Sequence, residues 1–337
     1  MLTEFSKPTE DVRQHTRLLI AQNSALLERQ RNIAATLGGG VDCTSCVVCT
    51  APLSSAVPFQ HRDVPYAECS TCGHIQCMVQ APANYPYGDQ DFSDIYKPLD
   101  VAAYEERTKS IYAPKLAWVL RSAEAAGIGD LLQRRWLELG SGAGNFLSAL
   151  RAGGAAGITG IEAELPLVVQ SRAMLGDGVT SHFSGSLSEA VQTHDADVYA
   201  AWFVLEHCFE TAALLEALRA KPSGTVFVFS VPTYGLATLL ESACRHHYAR
   251  SLDSVLHMQL FTDRSIQHAM ARAGYEIKAE WLFGQDADDL YRALASQGER
   301  GVSQPVLQRL AEALTEIQGA VDRARLSDSR HILAVRS

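Results

Sequence analysis

Residues 134–146 read RRWLELGSGAGNF, an apolar run that stops at Gly140 and gives way to a helical pattern from Asn145. Glycines at alternate positions (Gly140, Gly142, Gly144) let the backbone turn tightly and approach a ligand where a Cβ would clash. The helix that follows has free N–H groups at its start. A dinucleotide loop needs G-x-G-x-x-G, whereas this one is G-x-G-x-G with Glu138 two residues ahead. A carboxylate there repels a pyrophosphate and suits a ligand that carries a cationic amino-acid group.

Similar apolar runs recur on either side. RRWLELG is followed by GITGIEAE (157–164), VTSHF (179–183), DVYAAWFVLEH (197–207) and TVFVFSVP (225–232), with helical stretches between. GYEIKAEWLF (274–283) and HILAVRS (331–337) supply two more. Short buried strands alternating with helices predict a parallel sheet covered on both faces, a doubly wound α/β fold of seven strands.

With the glycine loop, Glu138 and this strand spacing together, the chain resembles the class I S-adenosylmethionine (SAM)-dependent methyltransferases, whose first motif is E/D-x-G-x-G-x-G. The resemblance implies a Rossmann-like sheet and SAM as cofactor. It places the methionine part of SAM on the backbone of Gly140, Ser141 and Gly142, beside Glu138 and the Gly144-Asn145-Phe146 start of the helix. Glu162, at the end of the next strand and followed by Ala163, takes the ribose hydroxyls. Ser186 and Leu187 flank the adenine, and Trp202 closes the fourth strand beside the cofactor.

Six of the eight cysteines fall between Cys43 and Cys77. Cys46-Val-Val-Cys49 and Cys69-Ser-Thr-Cys72 are C-x-x-C knuckles, a spacing that turns both thiolates onto one ion, so the two pairs predict a structural Zn²⁺ site. Cys43 competes for the first knuckle, and His74 or Cys77 for the second. Zinc ribbons often bind nucleic acid, but Arg62 is the sole Lys or Arg between Cys43 and Gln90, too little for phosphate binding. The module, with Cys72-Gly73-His74-Ile75-Gln76 and then Tyr85, Tyr87 and Tyr96, resembles the N-terminal region of bacterial sugar C-methyltransferases and related polysaccharide-pathway enzymes. That resemblance covers roughly residues 46–280 and implies an activated, nucleotide-linked sugar as acceptor.

Methyl transfer from a sulfonium needs an aligned nucleophile and, for a hydroxyl or acidic carbon, a base. Ligands of open α/β sheets lie at the carboxyl ends of the strands, where the fourth strand delivers Glu206 and His207. An imidazole has the right pKa for a base near neutrality. In the similar sugar C-methyltransferases a Glu-His pair here is implicated in proton abstraction, which implies His207 as base with Glu206 in support. Quinone-type O-methyltransferases hold a divalent ion with E-x-x-E-H at this place; Phe203 stands where the first acid would be, which argues against a catalytic metal. His257, in LHMQLFT, either lines the acceptor pocket or is a satisfied buried histidine. Tyr85, Tyr87 and Tyr96 either cover the substrate as a lid or pack between module and domain.

The remaining expectations are coarser. The 337 residues divide into an N-terminal helix (1–40), a zinc module (41–82), a tyrosine-rich segment (83–110) and a catalytic domain (111–337) with a helical insertion at about 284–329. Residues 10–37 have the apolar spacing of one helix, ended by Gly38-Gly39-Gly40. That helix and the one through Val306, Leu310 and Leu314 pack internally or form a homodimer interface. A net charge of −9 without a basic cluster argues against nucleic acid as partner. The polar N-terminus and the lack of ~18 continuous apolar residues argue against a membrane, leaving a cytoplasmic enzyme with a small-molecule substrate.

Overall fold

The computed structural model describes residues 1–7, 23–36, 40–61, 64–80, 100–244, 247–249, 257–296 and 303–337. Its centre is a sheet of β1 (Leu2–Phe5), β5 (Arg135–Leu139), β6 (Gly157–Glu162), β7 (Thr180–His182), β8 (Val198–Trp202), β9 (Val226–Pro232), β11 (Tyr275–Leu282) and β12 (Ser329–Arg336). The order is β1-β11-β12-β9-β8-β5-β6-β7, and β12 alone runs against its neighbours. The order reverses beside β5, so the crevice that takes a ligand opens at the carboxyl ends of β5 and β8. All residues of β8 and β9 are buried, as expected of strands with helices on both faces.

The seven expected strands are joined by an eighth. Leu2–Phe5 pairs in parallel with β11, Leu2 opposite Ala279 and Phe5 opposite Leu282. Trp281 Nε1 donates to the Ser6 carbonyl at 2.9 Å and fixes the turn out of this strand. Residues 8–22, the first part of the expected N-terminal helix, lie outside the described residues; α1 covers Asn23–Thr36.

Residues 101–110, expected in the tyrosine-rich linker, are helical and belong to the catalytic domain. Helix α2 (Val101–Arg107), capped by the Asp100 carboxylate, runs through a π-helical turn (Thr108–Tyr112) into α3 (Ala113–Ala125). Asn145 explains the docking: its amide donates to Thr108 Oγ1 at 2.9 Å and to the Tyr104 carbonyl at 3.2 Å. Helices α4 (Asn145–Ala152), α5 (Leu165–Leu175), α6 (Leu187–Thr193) and α7 (Thr211–Arg219) follow successive strands. Between β11 and β12 lie α10 (Asp286–Ala295) and α11 (Gln304–Arg323), packed on each other and, through α10, on α8 (Leu236–Ala243).

The cysteine module contains β2 (Val57–His61), β3 (Val64–Glu68) and β4 (Ile75–Cys77). Its sheet is completed by β10 (Gln259–Leu260), a strand from the catalytic domain that pairs antiparallel with β4, just ahead of α9 (Asp263–Ala273). Module and domain are therefore welded by backbone. Side chains add to the joint: His61 Nε2 meets Glu241 of α8 at 2.8 Å, His61 Nδ1 meets Ser242 Oγ at 2.9 Å, and Tyr66 donates to the His257 carbonyl at 2.8 Å. No described helix is long and apolar enough to cross a membrane.

Candidate active site

A cavity of about 310 Å³ opens at the carboxyl ends of β5, β6 and β8. Its floor is the loop after β5. Gly140, at φ 64°, passes under Val204, whose Cγ2 would stand 2.8 Å from any added Cβ. Ser141, Gly142 and Asn145 line the wall with Glu138 and Glu162.

The two acids serve differently. Glu138 is buried, and its Oε2 has no hydrogen-bond partner among the described residues. Burial pushes its carboxyl well above the ordinary range, against the pull of the Lys115 ammonium. A buried acceptor with no donor calls for a ligand, and a cationic amino group supplies both proton and charge. Glu162 is already engaged: Oε2 accepts from the Gly142 N–H at 2.7 Å and Oε1 from the Glu164 N–H at 2.9 Å. These bonds hold the carboxylate at the cavity lip and leave each oxygen a further lone pair for a vicinal diol.

Ala163, Leu187 and Trp202 also line the cavity. Three expected contacts do not. Phe146 is fully buried against Trp136 and Trp202, so it is core. Gly144 is the left-handed residue that starts α4, facing Ser171. Ser186 spends its hydroxyl capping α6, accepting from the Glu189 N–H at 3.2 Å, and it is Gly185 beside it that reaches the wall.

β8 leaves the sheet through Phe203, an L-residue held at φ 56° by its N–H donating to Ser230 Oγ (3.0 Å) and to the Ser230 carbonyl (3.1 Å). Such conformations cost about 1–3 kcal/mol and persist where the surroundings enforce them. The kink leads into a single turn, Leu205–His207, that sets His207 on the cavity wall and Glu206 behind it. Glu206 is fully buried, makes no hydrogen bond to another described residue, and burial pushes its carboxyl up to about 8. His257 lies next to this pair, its ring centroid 5.4 Å from that of His207, and does not itself line the cavity. Tyr85, Tyr87 and Tyr96 lie outside the described residues.

Several wall residues carry no sequence signal. Arg107 and Tyr112 reach the cavity from the π-helical turn region, and Phe183 and Phe203 add aromatic surface. Lys115 of α3 sits behind them, its Nζ 5.0 Å from the rings of Tyr112 and Trp202 and 5.2 Å from that of Phe203. Among the described residues no carboxylate lies within ion-pair distance of it. Burial, helped by Lys7 and Arg107, lowers its pKa to about 7, against Glu138 and Glu206. A lysine behind a helical pattern looks like any solvated charge until the sheet is assembled.

In the module, Cys46, Cys49, Cys69 and Cys72 each bring a sulfur within 4.8 Å of the others, with Cys46–Cys72 and Cys49–Cys69 at 3.6 Å. A tetrahedron of Zn–S bonds of ~2.3 Å has edges of about 3.8 Å, so the sulfurs fit a zinc ion. Cys72 donating to Cys46 pushes the Cys46 thiol down and its own up. The competitors are used elsewhere. His74 is paired with Gln259 at 3.0 Å, Cys77 Sγ donates to the Val79 carbonyl, and Cys43 is outside the cluster.

A methyltransferase-domain family profile matches residues 104–280, slightly more than half of the chain, and the protein belongs to that family. It is a methyltransferase. No curated protein matches the chain. Among solved structures it is similar to magnesium protoporphyrin IX methyltransferase from Synechocystis PCC 6803 with bound SAH (14% identity, 75% of this chain and 97% of that chain, TM-score 0.46). It is also similar to an S-adenosylmethionine dependent methyltransferase from Mesorhizobium loti (17% identity, 60% of this chain and 91% of that chain, TM-score 0.40).

Proposed function

We propose that the protein methylates a small polar acceptor in the cytoplasm, an activated, nucleotide-linked sugar being the acceptor class that suits it best. One observation carries the reading: His207 lines the same cavity as Glu138 and the glycine loop. SAM seated with its amino group on Glu138 and its ribose on Glu162 presents the methyl toward β8. An acceptor in the remaining space meets His207 first. The imidazole takes the proton from the acceptor's hydroxyl or acidic carbon as the nucleophile displaces the sulfonium, with Glu206 buried behind it in support. The four cysteines hold a structural zinc that keeps the module, and with it the His257 segment, in place.

The aromatic surface of Tyr112 and Phe203 favours a second reading, an O- or N-methyltransferase of a ring-bearing metabolite. Incubating the protein with methyl-labelled SAM and a panel of nucleotide sugars, then with metabolite extract, separates the two. Label in a nucleotide sugar supports the first reading. Label only in extract metabolites that lack a nucleotide supports the second, and no label in either removes both.

A further inference from the structure

The carboxylate of Glu206 is fully buried, and neither oxygen bonds to another described residue. Buried carboxylates are ordinarily satisfied by donors or by a cation. Two imidazoles stand beside it. One atom each from Glu206, His207 and His257 lie within 4.8 Å of one another, and the two rings are inclined at 56°. The Phe203 substitution had argued against a metal because the third ligand was sought three residues upstream; His257 arrives instead from a segment 50 residues downstream, carried in by β10 and the cysteine module.

We propose that Glu206, His207 and His257 are the protein ligands of a first-row divalent ion, a second metal site distinct from the four-cysteine cluster. Two imidazole nitrogens and one carboxylate oxygen suit ions in the Fe²⁺ to Zn²⁺ range and are a poor cage for Mg²⁺ or Ca²⁺, which prefer all-oxygen sites. With metal–ligand bonds of ~2.1 Å the donor atoms stand about 3.4 Å apart, so the three groups close by roughly 1 Å each, within the reach of side-chain rotation. His207 is the one of the three that lines the cavity, so an ion held there would stand at the cavity wall. The site rests on the proposed methyl transfer only for what it would meet there. An ion on the imidazole occupies the lone pair that abstracts a proton, so the ion-loaded and base-competent forms of the cluster exclude one another.

Tag-free protein with zinc in its cysteine cluster is titrated with Co²⁺, read by calorimetry and by the visible absorption of the cobalt. One further equivalent binds, without the thiolate charge-transfer band that cobalt in a cysteine site would show. Affinity falls roughly 10- to 100-fold in His257→Ala and in Glu206→Gln, while both variants keep one zinc. Wild type that takes up no cobalt beyond the cysteine cluster overturns the proposal, as does cobalt bound equally well by the two variants. Because wild-type stoichiometry decides first, poor folding of a variant does not rescue it. S-adenosylhomocysteine titrated into the same samples reads the cofactor site separately, so loss of the metal site and loss of the methyltransferase reading are distinguishable.

Discussion

His74 of the cysteine module and Gln259 of β10 meet at 3.0 Å, both fully buried, and the same glutamine amide donates to the carbonyls of Leu205 and Cys208. Gln259 thus ties the module to both ends of the turn that carries Glu206 and His207. Burial pushes the His74 imidazole down to about 3, so it remains neutral and keeps this bond across the physiological range.

Cys72→Ser therefore damages more than the module. Zinc content falls by one equivalent, and methyl transfer falls by about tenfold or more as the His207 turn loosens. Affinity for S-adenosylhomocysteine changes little, because the glycine loop and Glu162 lie outside the joint. Calorimetry together with the turnover rate checks this; a variant with normal turnover and no zinc would separate module from site.

His207→Asn keeps the size of the side chain and removes the base. Turnover is expected to drop about 10²- to 10⁴-fold, the usual worth of a positioned proton acceptor. Cofactor affinity stays within a few-fold, and a rate loss below tenfold would assign the proton to another group.

Lys115→Met is expected to stabilise the ligand-free protein near pH 7. The folded state holds Lys115 at about 7 and the unfolded chain at 10.5, so the unfolded chain binds more protons between those values and wild-type stability rises with pH across that window. At and below pH 7 the whole penalty is present, a few kcal/mol less the attraction of the surrounding rings. The variant's advantage in thermal midpoint shrinks toward pH 10. A difference that does not vary with pH would show that Lys115 is not discharged by folding.

Gly140→Ala forces a Cβ to 2.8 Å from Val204 at a φ of 64°. Repacking and backbone strain together cost about 1–3 kcal/mol. A denaturant melt should register that loss, accompanied by weaker cofactor binding; unchanged values of both would mean the loop does not lie under Val204.

The glycine loop, Glu138, Glu162 and the run of strands were legible because each rests on local chemistry or on a repeating apolar pattern. The strand Leu2–Phe5 was not: four residues are too few to show alternation, and only the edge of β11, 270 residues away in sequence, gives them a partner. Phe146 and Ser186 follow a motif position into the wrong environment, one drawn into the core by Trp136 and Trp202, the other used up in a helix cap. Lys115, Arg107 and the approach of His257 to Glu206 are tertiary facts, produced by a π-helical turn and by a strand that crosses into the module.

The central claim is that this cavity binds SAM through Glu162 and Glu138. Calorimetric titration of S-adenosylhomocysteine into wild type and Glu162→Ala tests it most directly. Losing two charge-assisted hydrogen bonds at the loop and the contacts to the ribose should weaken binding about 100-fold or more. Clear binding by wild type, lost in the variant while its fold and zinc content hold, is the predicted result. A folded, zinc-loaded wild type that binds nothing, or a variant that binds as well as wild type, would contradict the account.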